Sequence, residues 1–484
     1  MAMYYWVGGT GTWDNASNAR WSLSSGGAGA AGIPTSADNV IFDANSGATA
    51  TVTVASTAAC LACTVNKADI TLSFSGSPTF AGAFTFTQGT INLNSFNLTS
   101  LTFLGANANV RTLAFGTGSI TVTGNNGIAF TIGNRTNATI TGTPRVFSTY
   151  AGAVGTRTIN LDNGSGTYAT RIALFVTAGT DIVTTTGNSN GDLDFTGFGG
   201  TWALGSFAST YRGGLILNAT MTVDSGTNTL QTFNATGGPH QINLFGKTIN
   251  APVTFNGVGG SWQLTGSFAI SSGRKLTLTN GTLDANGQNV SFGDFGLGAG
   301  TKTLSIGSGT WSVLSGNFES NTNVTGLTVS SATGVISMNS ASAKNFVGGG
   351  KAWPTLNQGG AGTLLIESSN TFANITNSVQ PATITIAAST TQTVAAFGVS
   401  GTAGNLITLD SSPAGTRATL SNSTGTVEVS NVSIKDISAT GGANWNAFLK
   451  SGNVDAGNNL GWDFFPAVRR VFSQVFTSIF RPIF

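Results

Sequence analysis

One short pattern recurs along almost the whole chain: apolar residues alternating with Thr, closed by Gly or Asn-Gly. It reads Thr51-Val-Thr-Val, Phe84-Thr-Phe-Thr, Ile120-Thr-Val-Thr and Leu276-Thr-Leu-Thr. Alternation at period two is the mark of a β-strand with one buried face. From residue 50 to residue 464 no helical periodicity competes with it. The segments also repeat at fixed offsets. Phe84-Thr-Phe-Thr-Gln-Gly-Thr-Ile matches Leu276-Thr-Leu-Thr-Asn-Gly-Thr-Leu 192 residues on, and Arg111-Thr-Leu-Ala-Phe-Gly-Thr-Gly matches Lys302-Thr-Leu-Ser-Ile-Gly-Ser-Gly 191 residues on. Related Arg/Lys-Thr-Ile starts occur at Arg157 and Lys247. A second motif, Phe195-x-Gly-x-Gly-Gly-x-Trp202-x-Leu204, returns as Phe255 to Trp262 and Leu264, and more loosely as Phe346 to Trp353.

These spacings imply units of roughly 20–30 residues, the size of one solenoid coil. A single coil cannot bury its apolar face, but stacked coils share one core while Thr, Ser and Asn face outward. The expected fold is therefore all-β: an elongated β-solenoid body with capped ends and a short C-terminal amphipathic α-helix. Tandem β-sandwich domains are the alternative, though such units are short for a sandwich. Taking ~22 residues per coil and ~4.8 Å between stacked strands, 50–464 would hold ~19 coils over about 90 Å. The expected organisation is a Trp-rich N-terminal cap at 1–49, a repeat body at 50–400, a C-terminal β block at 401–464 and a helical tail at 465–484.

Such a body needs few ions, which accounts for a charged fraction of only 8% where ordinary domains carry roughly 25%. A net charge of +2 offers no extended basic field, so no nucleic-acid partner is expected. The start, Met1-Ala-Met-Tyr-Tyr-Trp, lacks the basic and apolar regions of an export signal, and no apolar run is long enough to span a membrane. Cys60 and Cys63 form a C-x-x-C pair without further metal ligands close by; on a strand they would point to opposite faces, as small core residues. No cofactor is expected.

Trp6, Trp13 and Trp21 crowd the beginning, while Trp445 and Trp462 lie near the end of the β region. An open solenoid end exposes unpaired strand edges, so these bulky residues are read as end closures. Exposed indoles stacking on carbohydrate are the alternative role. The opening block Trp6-Val-Gly-Gly-Thr-Gly-Thr-Trp13, followed by Trp21 and Pro34-Thr-Ser-Ala-Asp-Asn-Val-Ile-Phe-Asp43, has a counterpart at the other end. There Leu409-Asp-Ser-Ser-Pro-Ala-Gly-Thr-Arg precedes Val432-Ser-Ile-Lys-Asp436, Trp445 and Asn459-Leu-Gly-Trp462. Together the two blocks resemble a family of Gly/Thr-rich β-repeat proteins encoded by tailed bacteriophages and found in viral metagenomes. Related Trp-containing openings also begin bacterial surface β-helix proteins. The resemblance implies a virion structural or host-adhesion component, assembled in the host cytoplasm, with trimerisation expected as in phage fibres. It brings no catalytic motif.

The last residues change character. Val468, Val471, Phe472, Val475, Phe476, Ile479, Phe480 and Ile483 follow helical i, i+3, i+4 spacing, and Arg469, Arg470 and Arg481 are the charges after Asp463. A lone amphipathic helix needs a surface to pack on. The readings are a fold-back cap, self-association or docking into another virion protein; its basic face is thin for a membrane surface, so no membrane partner is expected.

Hydrolysis of a glycan would call for paired carboxylates. Asp192 and Asp194, two apart and so on one strand face, are the best pair, and Asn188-Ser-Asn-Gly-Asp-Leu-Asp194 carries a faint echo of a calcium loop. His240, in Gly237-Gly-Pro-His-Gln, has no Cys or Asp near it in sequence, so a triad is not expected. The first expectation is accordingly a non-enzymatic virion fibre, spike or appendage mediating host-surface attachment, with host glycan as a further partner. Capsid decoration or head fibre, bacterial surface adhesin and glycan depolymerase spike are the alternatives.

Overall fold

The computed structural model describes residues 1–133, 135–161, 171–186, 191–204, 208–224, 226, 229–319, 323–331 and 333–465. Among them every regular element is a β-strand. The fold is a β-solenoid of about 18 turns, close to the number the repeat length requires. The tail at 466–484, with the proposed docking helix, lies outside the described residues. The chain divides into two compact units, Met1–Trp262 and Gln263–Phe484.

In the second unit one sheet advances strictly in sequence order. Val290 pairs with Trp311, Trp311 with Ile336 and Ile336 with Leu356, all in parallel. The steps are 21, 25 and 20 residues, one coil each. Parallel pairing one coil away is solenoid topology and excludes the antiparallel pairing of a sandwich. The first unit does the same: Phe84 pairs with Phe103, and Ile120 lies between Leu98 and Val146.

Period two behaves as expected. In the strand Ala83–Asn92, Phe84, Phe86 and Ile91 are buried while Thr85 and Thr87 face outward. Stacking then places like residues over like. Phe84, Phe103 and Phe130 form an internal ladder with ring centroids 5.5 and 5.3 Å apart, and Phe295, Phe318 and Phe346 form another at 4.6 and 5.2 Å. The Phe-to-Trp motif is a ring pair within one coil: Phe195 meets Trp202 at 4.9 Å, Phe255 meets Trp262 at 5.1 Å and Phe346 meets Trp353 at 5.5 Å.

The 192-residue repeat marks a corner. Gly89 and Gly281, equivalent in the two copies, have φ of 103° and 85°, a backbone shape that side chains disfavour. Arg111 stacks beside Gly89 and Lys302 beside Gly281. Both cations are buried, against the expectation that polar residues face outward. Arg111 Nη1 donates to the Asn109 carbonyl at 2.9 Å, and Lys302 Nζ to the carbonyls of Gly298 and Gly300, each at 2.7 Å. Lys344 repeats the arrangement on the carbonyls of Ser340 and Gly362 at 2.9 and 2.7 Å. Burial pushes its ammonium down to about 8. Corner carbonyls that no strand partner can reach thus acquire a donor.

Cys60 and Cys63 are both free thiols in the interior. The expectation of opposite faces fails because Cys60 precedes the strand, which begins at Cys63, and period two does not extend to it. Burial, followed by the neighbouring Cys60, pushes the Cys63 thiol well up.

Candidate functional site

The Trp residues are not a ligand surface. Trp6, Trp13 and Trp21 are at most 1% exposed, and Trp445 and Trp462 at most 5%, which corrects the carbohydrate-stacking alternative. Trp21 sits edge-on against Trp6 at 5.0 Å and Trp13 at 5.6 Å. It belongs to Trp21–Ser22, the terminal strand of its sheet, which turns back antiparallel onto Met3–Trp6. Trp445 and Trp462 meet edge-on at 5.0 Å across parallel strands of a small separate sheet.

Polar and aromatic groups converge instead on the outer face of the first unit. The strands Arg145–Ser148, Ala173–Val176, Leu193–Asp194, Leu215–Ile216 and Gly237–Asn243 stack in parallel. Their outward positions form one line: Phe147, Phe175, Asp194, Ile216, Asn243. Val146, Leu174, Leu193, Leu215 and Ile242, of opposite parity, fill the core. Along this line lies a cavity of about 360 Å³ lined by Phe175, Asp192, Asp194, Ile216, His240 and Gln241. A smaller one of about 160 Å³, sharing Phe175 and Asp192, adds Arg145 and Arg171.

Asp192 and Asp194 therefore do share a groove. Asp192 Oδ1 accepts from the Gly214 N–H at 2.6 Å, and Asp194 Oδ1 from the Thr196 N–H at 2.7 Å. A Cβ at Gly213 would collide with Asp192 Oδ1, and one at Gly214 with the Gln241 carbonyl, so the glycine pair permits this close approach. His240 was not expected to have a carboxylate neighbour, yet its Nδ1 lies 3.8 Å from Asp192 Oδ1. The two are 48 residues apart in sequence but only two strands apart in the stack. Burial pulls the imidazole below its usual 6.5, while Asp192 and a hydrogen bond with the Thr236 backbone act in the opposite direction.

This shift has a signed consequence. With a depressed folded-state value, neutral His240 is favoured by folding, and stability is lost as pH falls below about 6.5 because the unfolded chain binds the proton first. We expect the denaturation midpoint to fall between pH 7 and pH 5, and His240→Asn to remove part of that slope. Parallel slopes for the two proteins would show that His240 is not responsible.

Comparison with known protein families, with curated proteins and with solved structures gives no match. Among the described residues, no group of three or more His, Cys, Asp or Glu side chains is placed to hold a metal ion, and no helix is long and apolar enough to cross a membrane. The segment 187–190, which contains part of the calcium-like stretch, lies outside the described residues.

Proposed function

We propose that this chain is a non-enzymatic structural protein of a bacteriophage virion, of the fibre, spike or appendage type, which serves attachment to a host surface. The character of its exterior carries the reading. The sequence has 38 charged residues in 484 (20 basic, 18 acidic), and Arg111, Arg157, Asp181, Lys302 and Lys344 among them are folded inward. The outer strand positions hold mainly Thr, Ser and Asn. Stacked turns support one another through nearest neighbours, so such a surface can be extended without a new core for each increment. A hydroxyl- and amide-rich face suits many weak contacts multiplied by symmetry, as in a homotrimer, rather than one tight site. The resemblance of both end blocks to phage β-repeat proteins points the same way, with capsid decoration as the nearest variant.

Gold-labelled antibody against the protein should decorate purified particles at a fixed position. Label on washed, phage-free bacterial cells instead of particles would overturn the proposal in favour of a cell-surface adhesin. Attachment to the particle, or self-association, is assigned to the amphipathic tail. Deleting 465–484 should leave the β-sheet circular dichroism and melting unchanged but abolish incorporation into particles or reduce the oligomer mass. Normal occupancy together with normal mass would refute that assignment.

A further inference from the structure

We infer that the groove along Phe147, Phe175, Asp194 and Ile216 binds a short stretch of neutral carbohydrate chain. This rests on the attachment reading and gives it a location and a ligand class.

The first observation is a displaced aromatic pair. The internal Phe ladders are buried, whereas Phe147 and Phe175 stack at 4.8 Å on the outer face, each only partly covered. A flat ring pair at the surface of a β-body offers an apolar platform. The cavity beside it, about 360 Å³, falls within the ~300–1,000 Å³ of small-ligand sites.

The second observation is what surrounds the platform. Asp192 and Asp194 supply acceptor oxygens, and the exposed Gln241 amide both donates and accepts. Arg145 and Arg171 line the adjoining cavity. Two carboxylates and two guanidinium groups thus line the two adjoining cavities, so neither sign of charge dominates the line as a whole. Other classes fit worse. Leu193–Asp194 is hydrogen-bonded to strands on both sides, so no open edge is present there for a peptide to join as an extra strand. Within the larger cavity Asp192 and Asp194 line the wall without any Arg or Lys among the described residues, so a phosphate seated there would meet like charge. A neutral sugar chain meets every requirement: its C–H faces cover rings and its hydroxyls pair with carboxylates and amide. The line from Phe147 to Asn243 spans four strand spacings, about 19 Å, enough for a linear chain to be read turn by turn.

The test is calorimetric titration of the full-length protein with maltohexaose, cellohexaose and chitotetraose, with polygalacturonate and heparin as acidic controls. At least one neutral oligosaccharide should bind, with a Kd on the order of 0.1–1 mM. Phe175→Ala and Asp194→Asn should each weaken it about tenfold or more. Phe448→Ala, exposed in the second unit and so outside the groove, should leave it unchanged. The exposed Gln241→Ala provides a second variant should Phe175→Ala unfold. The inference is overturned by binding to none of the neutral probes, by preference for the acidic ones, or by affinity that survives the groove substitutions. Particle labelling without sugar binding would sink this inference alone. Sugar binding without particle labelling would sink the virion reading alone.

Discussion

Asp181→Ala should destabilise the first unit by about 3–5 kcal/mol, more than any surface substitution on this chain. Asp181 and Arg157 are both fully buried in their side chains. Arg157 Nε and Nη2 donate to the two carboxylate oxygens at 2.9 and 2.8 Å, while Nη1 donates to Ser148 Oγ at 2.8 Å and Nη2 also to the Ala178 carbonyl at 2.9 Å. The guanidinium lies 5.5 and 5.6 Å from the rings of Tyr150 and Phe198. Removing the carboxylate leaves that cation without its counter-charge in a dry corner, which is the expensive outcome. Removing both charges is different: Arg157→Met combined with Asp181→Leu should be far milder than Asp181→Ala, since apolar replacement of a buried pair is often neutral or better. Solenoid unfolding need not be two-state. The measurement is therefore hydrogen exchange at Thr156–Asn160 and Ile182–Thr186, the strands this pair joins. Protection in Asp181→Ala within about 1 kcal/mol of wild type would mean that the pair carries little of the local stability.

How much of this was legible in the sequence depends on whether the deciding partner lies within one coil. The body was readable because one strand and its corner recur as a unit. Gln-Gly-Thr and Asn-Gly-Thr put Gly89 and Gly281 at the same positive-φ bend, and an Arg or Lys follows to stack beside each. The direction of that cation was not readable. Arg-Thr-Leu and Lys-Thr-Leu alternate equally well with the charge inside or outside. What turns it inward is a set of corner carbonyls, some from the next coil, such as Gly362 for Lys344.

The groove was half legible for the same reason. Asp192 and Asp194 stood out by spacing alone. Their companion His240 enters through stacking at a distance no local motif marks, and the approach depends on Gly213 and Gly214, whose closeness to Asp192 and to the Gln241 carbonyl no spacing reveals. The outer rings were hidden differently. In Arg145-Val-Phe-Ser and Ala173-Leu-Phe-Val apolar residues occupy both parities, so alternation does not say which side is out; the register of neighbouring strands decides it.

Trp13→Ala is the second large effect, and it differs in kind from the loss of an internal ring. Trp13 is 1% exposed and packs on Trp21 at 5.6 Å, on Phe42 at 5.8 Å and flat on Phe80 at 5.3 Å. Its strand, Gly11–Trp13, lies against Thr51–Val54. Truncating so large a buried side chain should cost about 3–5 kcal/mol. In the interior of a stack, neighbouring turns on both sides would hold the backbone in place around the cavity. Here support comes from Thr51–Val54, so the loss should loosen Gly11–Trp13 and expose the Thr51–Val54 edge, with its alternating Val residues, to other molecules. We therefore expect Trp13→Ala to lower the unfolding midpoint and also to produce concentration-dependent association in light scattering. Trp311→Ala, at a Trp held between Val290 and Ile336 in the second unit, should destabilise without associating. Equal monodispersity of the two variants would show that the N-terminal indoles fill space but do not close the end. Association confined to Trp13→Ala would make the Trp cluster the device that keeps this stack from growing.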